Sequence, residues 1–345
     1  MTPGIFQFSL LFSILIFLAA AVVIAIFGVR MTHVARQLAI RTRMGEALMG
    51  TIFIGASTSL SGIMTSVTTA SYGYAELSVS NALGGIAAQM LFLAIADMFY
   101  RKANLEHAAA SAENLMMTAF LIILLSILLF ATTVPHISIY AIHPASPLLI
   151  IFYLFSIHIL ARTHQMPMWV PKNTRDTRHE STNKLSRRVP GVEKLWIQFA
   201  ICAAMVAMAG WVLAQTGMQI SQQTGLSQGV VGGVFTAIST SLPELVIAVA
   251  AVRMKSLTLA VGDIVGGNLF DTLFIAVSDF AYREGSIYAA ISSTETTWLA
   301  ITLIMSGILM VGLLHRERHG PGNIGWESVL LIIAYLVGLL ALILS

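Results

Sequence analysis

The sequence is divided into ten apolar segments, each about as long as a lipid bilayer is thick. They lie at roughly 5–28, 44–69, 77–100, 115–134, 146–164, 195–214, 228–252, 257–280, 293–314 and 326–344. Because a helix needs about 20 apolar residues to cross the hydrocarbon core, this pattern predicts an all-α polytopic membrane protein with ten transmembrane helices. Only 10% of the residues are charged, whereas a soluble domain has roughly 25%.

Basic residues fall almost entirely on alternate connections between these segments. Lysines and arginines follow segments one, three, five, seven and nine, and Arg283 is the exception. Because short cytoplasmic loops are enriched in these residues, we expect the basic face to be cytoplasmic and both termini to be extracytoplasmic. This topology in the cell membrane accounts for the net charge of +3, so the lipid bilayer is the indicated partner and nucleic acid is not.

The longest polar segment divides the chain into two halves. Residues 165–193 are predicted to be a cytoplasmic linker between two five-span halves, 1–164 and 194–345. Four arginines follow the first apolar segment and no basic residue precedes it, which reverses the charge order of a signal peptide. We therefore expect the first segment to be retained as a span.

An internal repeat relates the two halves. Residues 57–101 match residues 239–283 at a constant offset of 182, sharing STSL, a glycine pair and a closing D-x-x-Y-R. The full repeat units lie at about 44–101 and 228–283. Five spans separate the copies, so the second is upside down, and such inverted repeats are typical of secondary transporters with a midplane substrate site. The closing motif also predicts i,i+4 ion pairs, Asp97–Arg101 and Asp279–Arg283.

Ionisable and polar side chains lie inside several of these spans. Glu244 follows Pro243 within an apolar segment, and an ionisable group at that depth marks a functional site by default. Asp263 and Asp271 lie on one stripe of the next helix, with Gly267 between them. Na⁺ and Ca²⁺ take oxygen ligands, and the candidate ligands are Glu244, Asp263, Asn81, Thr58, Ser59, Thr240, Ser241, Asn268 and Asp271. Interhelical hydrogen bonding is the alternative role, favoured most for Asp271, Gln89 and the hydroxyls.

The second copy carries a family resemblance. STSLPELVIAVAA followed by AVGDIVGGNLFDTLF resembles the second α-repeat of the calcium:cation antiporter superfamily, the sodium/calcium exchangers, whose pattern is TS-x-PE plus G-N/D-x-x-G-S-N. The first copy resembles the first α-repeat more weakly. The resemblance implies that Glu244 and Asp263 are the charged ligands and that Asn81 and the two Thr-Ser pairs complete the site. It also implies unwound carbonyls at Gly55 and Ala237.

The first copy departs from the family pattern. Ser61 and Gly62 stand where the family has Pro-Glu, and Ile86 stands where it has asparagine. One of the two central glutamates is therefore missing, which leaves two negative charges at the implied site. A site with this charge predicts electroneutral exchange of one Ca²⁺ for two monovalent counter-ions.

The resemblance implies a cation antiporter that works by alternating access. Ca²⁺ against Na⁺ or H⁺ is the expected pair, and no cofactor is expected besides these transported cations. Two alternatives stay open: a monovalent cation/H⁺ antiporter, and a membrane protein that keeps the fold without transporting. An enzyme is the least favoured reading, because the sequence contains no HExxH, no GxSxG and no histidine cluster.

Overall fold

The computed structural model describes residues 8–42, 55–100, 103–134, 137–165, 169–172, 191–318, 320 and 324–344. These residues are almost entirely helical. The α-helices are α1 Leu10–Thr42, α2 Gly55–Thr58, α3 Leu60–Ser71, α4 Ala75–Asp97, α5 Leu105–Ala109, α6 Ala112–Thr133, α7 Ala145–Gln165, α8 Val192–Thr224, α9 Gln228–Val230, α10 Ala237–Thr240, α11 Leu242–Arg253, α12 Leu257–Ala281, α13 Ser293–His315 and α14 Trp326–Leu344. A π-helical turn, Val231–Thr236, joins α9 to α10, and a 3₁₀ turn, Ile287–Ala289, precedes α13.

Seven of the described helices are long and apolar enough to cross a membrane: α1, α4, α6, α7, α8, α12 and α13. An eighth candidate span is the pair Gln228–Thr240 and Leu242–Arg253, which bends by 46° at its break. The helix α14 contains a shorter apolar stretch, and residues 43–54 of the predicted second span lie outside the described residues. These elements confirm an all-α architecture with several candidate membrane spans.

The sequence repeat is also visible in the helix boundaries. The helices α1, α2 and α3 begin and end 182 residues before α8, α10 and α11 respectively. The helices α4 and α12 share their first position at the same offset, and α6 and α13 share their last. The structural repeat is thus much longer than the region of sequence identity, which includes neither α1 nor α6.

The helices α4 and α12 form the centre of the molecule and pack against each other. They are the most deeply buried of the candidate spans, and α4 also contacts the π-helical turn. A Cβ atom on Gly84 would lie only 2.2 Å from the carbonyl oxygen of Gly233, so the two backbones are in direct contact. The long helices α1 and α8 pack along each other outside this centre, and their outer faces expose large apolar side chains.

Each half contains a short helix that breaks before the next helix begins. In the second half Pro243 lies at the start of α11, and its missing N–H leaves the carbonyl of Ser239 without a helical donor. The first half has no proline there, yet α2 and α3 are separated at the equivalent residue, Ser59. In both halves the threonine before the break donates its hydroxyl to the carbonyl three residues earlier. The break is therefore a property of the repeat and not of the proline alone.

The predicted ion pair between Asp279 and Arg283 is wrong. Asp279 is fully buried and accepts hydrogen bonds from the backbone N–H groups of His143 and Ile287 and from the hydroxyl of Ser146. Arg283 is exposed and makes no ion pair with it. The carboxylate near the end of α12 faces the protein interior, where its hydrogen bonds join the helix to the segments that precede α7 and α13.

Asp97 has the same role at the end of α4. Its carboxylate accepts hydrogen bonds from the backbone N–H groups of Leu105 and Gly325 and from the hydroxyl of Ser328, at 2.8–3.0 Å. Arg101, its predicted partner, lies outside the described residues.

Candidate cation site

Glu244 lies in the first turn of α11, directly after the helix break. Its side chain is buried, and Oε2 has no hydrogen-bond partner among the described residues. The hydroxyl of Thr58, beside the equivalent break in the other half, lies within hydrogen-bonding reach of this carboxylate. The carboxylate of Asp271 is close enough to repel it. The two broken helices therefore meet at a buried acidic group whose oxygens are not fully satisfied.

Asp271 lies in the middle of α12 and is held by two donors. The hydroxyl of Ser59 donates to Oδ1 at 2.5 Å, and the amide nitrogen of Gln89 donates to Oδ2 at 2.6 Å. Gln89 is the residue equivalent to Asp271 in the first half, 182 positions earlier. Its own amide oxygen has no partner among the described residues, so an acceptor remains available beside the carboxylate.

Asn81 has two hydrogen-bond partners within the first half and one in the second. Its amide nitrogen donates to the carbonyl of Gly62 and to the hydroxyl of Ser66, and its amide oxygen accepts from Thr236 at 2.7 Å. The side chain is buried. This amide keeps one acceptor lone pair at most, and its main contribution in this structure is to join α4 to α3 and to the π-helical turn.

Asp263 is the equivalent of Asn81 in the second half, but its surroundings differ. Its carboxylate forms an ion pair with Arg36 of α1 at 3.1 Å, and both side chains are partly exposed. The charge of Asp271 acts on Glu244, whereas Asp263 is paired with Arg36. The structure therefore brings Glu244 and Asp271 together and places Asp263 beside a built-in positive charge.

The hydroxyls of the two Thr-Ser pairs have mostly local partners. Thr58 and Thr240 donate to the carbonyls of Gly55 and Ala237, at 2.9 and 3.1 Å. These carbonyls also accept from the backbone N–H groups at the two breaks. The prediction that Gly55 and Ala237 present free carbonyls is therefore wrong in this structure. Ser241, the equivalent of Ser59, lies near Gly85 of α4, where a Cβ atom would be 3.6 Å from its hydroxyl.

Asn268 is the least satisfied of the predicted ligands. The side chain is fully buried in α12, and neither its amide nitrogen nor its amide oxygen has a partner among the described residues. An unpaired buried amide costs free energy, so a polar occupant would stabilise this position.

The position of the missing glutamate is filled by an aromatic ring. A Cβ atom on Gly62 would lie 2.5 Å from Cε2 and 3.0 Å from Cζ of Phe274. No side chain fits there unless the ring moves. The loss of the first-half glutamate is thus accompanied by a bulky residue on α12, which leaves Glu244 and Asp271 as the neighbouring carboxylates.

Two contributors were not identified as ligands from the sequence. Gln89 carried a signal, because the 182-residue offset aligns it with Asp271. No sequence signal pointed to Arg36, since it is one of the basic residues that follow the first apolar segment. Among the described residues no group of three or more His, Cys, Asp and Glu is arranged to hold a metal ion. The site depends instead on carboxylates, amides and hydroxyls, which suit hard cations.

A family sequence model matches most of the chain, on both sides of residues 162–193. The sequence model of the family described as sodium/calcium exchanger protein matches residues 12–161 and 194–344. The sodium/calcium exchanger MaX1 of Methanosarcina acetivorans is 28% identical over 142 residues, which is 41% of this chain and 38% of that protein. The chain therefore aligns with less than half of the length of MaX1.

Two further similarities extend over nearly the entire chain. The putative antiporter CaxA of Alkalimonas amylolytica is 24% identical over 315 residues, covering 90% of this chain and 94% of that protein. The crystal structure of the H⁺/Ca²⁺ exchanger CAX superposes with a TM-score of 0.69 at 13% identity, covering 95% of this chain and 82% of the other. At this identity the superposition shows a shared fold.

Proposed function

Because the chain belongs to the sodium/calcium exchanger protein family, we propose that it is a secondary-active antiporter that exchanges Ca²⁺ for Na⁺ or H⁺ by alternating access. It is a multi-pass membrane exchanger rather than an enzyme. In the proposed architecture ten transmembrane helices form two inverted five-helix repeats, residues 1–164 and 194–345, joined by a cytoplasmic linker at 165–193. The shared helix boundaries at an offset of 182 residues support this arrangement.

The observation that carries the proposal is the unpaired oxygen of Glu244. A carboxylate buried without a donor is costly, and the cost disappears when a proton or a metal cation is bound. The negative charge of the neighbouring Asp271 repels that of Glu244, which makes binding of a positive ion between them more favourable. Cations that compete for these two carboxylates are exchanged for one another, because the site is disfavoured when it is empty.

The two equivalent positions Asn81 and Asp263 favour a site that opens to one side at a time. Asn81 is buried, whereas Asp263 is partly exposed beside Arg36. Under the predicted topology Asp263 lies toward the cytoplasmic end of α12, so its partial exposure supports a conformation that is open to the cytoplasm. Inverted repeats that exchange their conformations would produce the outward-open state.

Exchange of monovalent cations for protons is the second candidate. It is favoured by Phe274, which occupies the position of the missing glutamate, and by Arg36, which already neutralises Asp263. Fewer free carboxylate oxygens lower the affinity for a divalent ion more than for a monovalent one.

Flux measurements on the purified protein in proteoliposomes test both candidates. Uptake of radiolabelled Ca²⁺ driven by an outward Na⁺ or H⁺ gradient is expected, and Glu244→Gln should abolish it. Glu193→Gln, which makes the same change at an exposed position on α8, is the matched control and should transport normally. If no gradient of Ca²⁺, Na⁺ or H⁺ drives flux in the wild type, both antiport proposals fail and a non-transporting role remains.

The inverted topology has its own test. Single cysteines at positions 175 and 187, on the proposed linker, should react with an impermeant label only from the cytoplasmic side. Cysteines at Tyr140 and Gln222 should react only from outside. Labelling of both groups from one side would contradict the inversion, because the inversion depends on an odd number of spans between the repeats.

A further inference from the structure

Two polar clusters, one at the equivalent end of each repeat copy, have the same hydrogen-bonding pattern. Asp97 and Asp279 are equivalent residues, and so are their donors: Leu105 with Ile287, Gly325 with His143, and Ser328 with Ser146, each pair separated by 182 positions. In each cluster two backbone N–H groups and one serine hydroxyl satisfy the aspartate. This frame is sufficient to fix the ends of α4 and α12.

The cluster around Asp97 contains two glutamates that the other cluster lacks. Glu106 of α5 is equivalent to Tyr288 in the second half, and Glu327 of α14 is equivalent to Ala145 in the first half. Tyr288 pairs its hydroxyl with Ser146 at 3.1 Å. Because the equivalent frame forms without any glutamate, the two acidic groups near Asp97 are not required to build it.

Both glutamates are buried and poorly satisfied. Glu106 is 1% exposed and Glu327 is 0% exposed. Oε2 of Glu106 and both carboxylate oxygens of Glu327 have no hydrogen-bond partner among the described residues. The hydroxyl of Ser328 has one proton, and it lies nearer to Asp97, at 3.0 Å, than to Glu106, at 3.5 Å.

The three carboxyl groups converge on Gly325. A Cβ atom built on this glycine would lie 2.8 Å from Oε2 of Glu327, 3.0 Å from Oε2 of Glu106 and 3.5 Å from Oδ2 of Asp97. One oxygen of each acid therefore borders the same small space. Three negative charges buried at this separation repel one another strongly unless they are neutralised.

The described surroundings supply little neutralising charge. Between described residues the structure forms one ion pair, Arg36 with Asp263, so none of these basic side chains pairs with the cluster. His315 on α13 attracts Glu327, while Glu317 beside it repels the same carboxylate. Burial, together with the charge of Asp97, raises the pKa of Glu106 to about 8.

We propose that Asp97, Glu106 and Glu327 form a proton-binding clasp that holds α5 and α14 against the end of α4. Asp97 is the anionic member, because backbone donors point at it. The glutamates take protons from water, and each new O–H group donates to a neighbouring carboxylate oxygen. Loss of these protons at alkaline pH leaves adjacent negative charges and loosens the first turn of α14. The clasp is separate from the cation site, since Asp97 lies eight residues, about 12 Å, beyond Gln89 along α4.

Infrared difference spectroscopy of the full-length protein in lipid nanodiscs tests proton binding without requiring transport. The wild type should lose a carbonyl stretch of protonated carboxyl groups as the pH rises through about 8, and the E106Q/E327Q double variant should lack that component. Tyr288→Phe, which alters the equivalent cluster, should retain it. Glu244→Gln should also retain it, so the result is independent of the proposed transport site.

Hydrogen exchange tests the clasp itself. In the wild type the amides of Leu105 and Gly325 should lose protection above pH 8, after correction for the intrinsic exchange rate. In the variant that copies the cluster around Asp279, E106Y/E327A, their protection should no longer depend on pH. An unchanged carbonyl band in E106Q/E327Q would overturn the proposal. Removal of the band by Ca²⁺ at constant pH would overturn it too, because the cluster would then be a cation site.

Discussion

Gln89 donates a hydrogen bond of 2.6 Å to Asp271, and these two residues occupy the same position in the two halves of the chain. A residue that contacts its own equivalent lies close to the axis that relates the repeats. The centre of the molecule is therefore asymmetric in charge, with an amide contributed by α4 and a carboxylate contributed by α12. Since α4 and α12 are packed together at this point, this contact joins the two halves at the level of the candidate cation site.

Removal of the amide should destabilise the protein. In Gln89→Leu the buried Oδ2 of Asp271 loses its donor, and an unsatisfied buried acceptor costs about 1–3 kcal/mol. We expect a lower unfolding temperature in detergent, with part of the loss recovered by saturating Ca²⁺ or Na⁺, because a bound cation would replace the missing donor. Gln223→Leu, at an exposed position, is the control. Equal destabilisation by the two substitutions would contradict this role for Gln89.

The ion pair between Arg36 and Asp263 predicts a competition with the transported cation. In Arg36→Gln the carboxylate of Asp263 loses its positive partner, so we expect tighter cation binding and a lower apparent KM on the side where Asp263 is exposed. Because the pair is partly exposed, its own contribution to stability is small, about 0–1 kcal/mol. Flux assays on Arg36→Gln, Asp263→Asn and the double variant would measure the coupling. Additive effects of the two single substitutions would show that the residues act independently.

The sequence predicted those features of the fold for which a pattern of residues has a single physical explanation. Apolar length and charge alternation predicted a helical membrane protein, and the constant offset of the repeat aligned Gln89 with Asp271. The extension of the repeat to α1 and α8 was not detectable, because lipid-facing residues change freely while they remain apolar. The repeat in this region is visible in the helix boundaries, although the residue identities no longer match.

The errors arose where tertiary contacts override local spacing. Asp279 and Arg283 have the spacing of an ion pair, but the aspartate faces the interior and binds backbone N–H groups of other segments. The sequence shows that Gly62 lacks the glutamate side chain of the family pattern, but only the structure shows that the ring of Phe274 fills the space of that side chain. The partner of Asp263 is 227 residues away on α1, a separation for which no local pattern exists.

The pH dependence of stability should report on Glu106. Its pKa is raised from 4.5 to about 8 in the folded protein, so the folded state binds a proton that the unfolded state has already released. Stability should therefore fall as the pH rises between about 4.5 and 8, by an amount on the order of a few kcal/mol. Glu106→Gln removes this titration, and its unfolding temperature should change less over the same range. A parallel decline in both proteins would assign the titration to other groups.

The charge of the candidate site predicts how exchange responds to voltage. Asp263 is paired with Arg36, so Glu244 and Asp271 supply two uncompensated negative charges, which one Ca²⁺, two Na⁺ or two protons would balance. We therefore expect electroneutral exchange that is insensitive to an imposed potential. Restoring the Pro-Glu of the family pattern with Ser61→Pro and Gly62→Glu would add a third charge, but a side chain at position 62 collides with Phe274.

The variant that fits the structure is Gly62→Glu combined with Phe274→Ala, with Phe274→Ala alone as its control. The added carboxylate should tighten divalent binding and make flux in proteoliposomes depend on potential, because 100 mV is worth roughly 2.3 kcal/mol per charge moved. The control should remain insensitive, since it changes volume without changing charge. If the wild type already responds to an imposed potential, an additional charge moves during exchange, and Arg36 or Asp263 must then be counted in the transported charge.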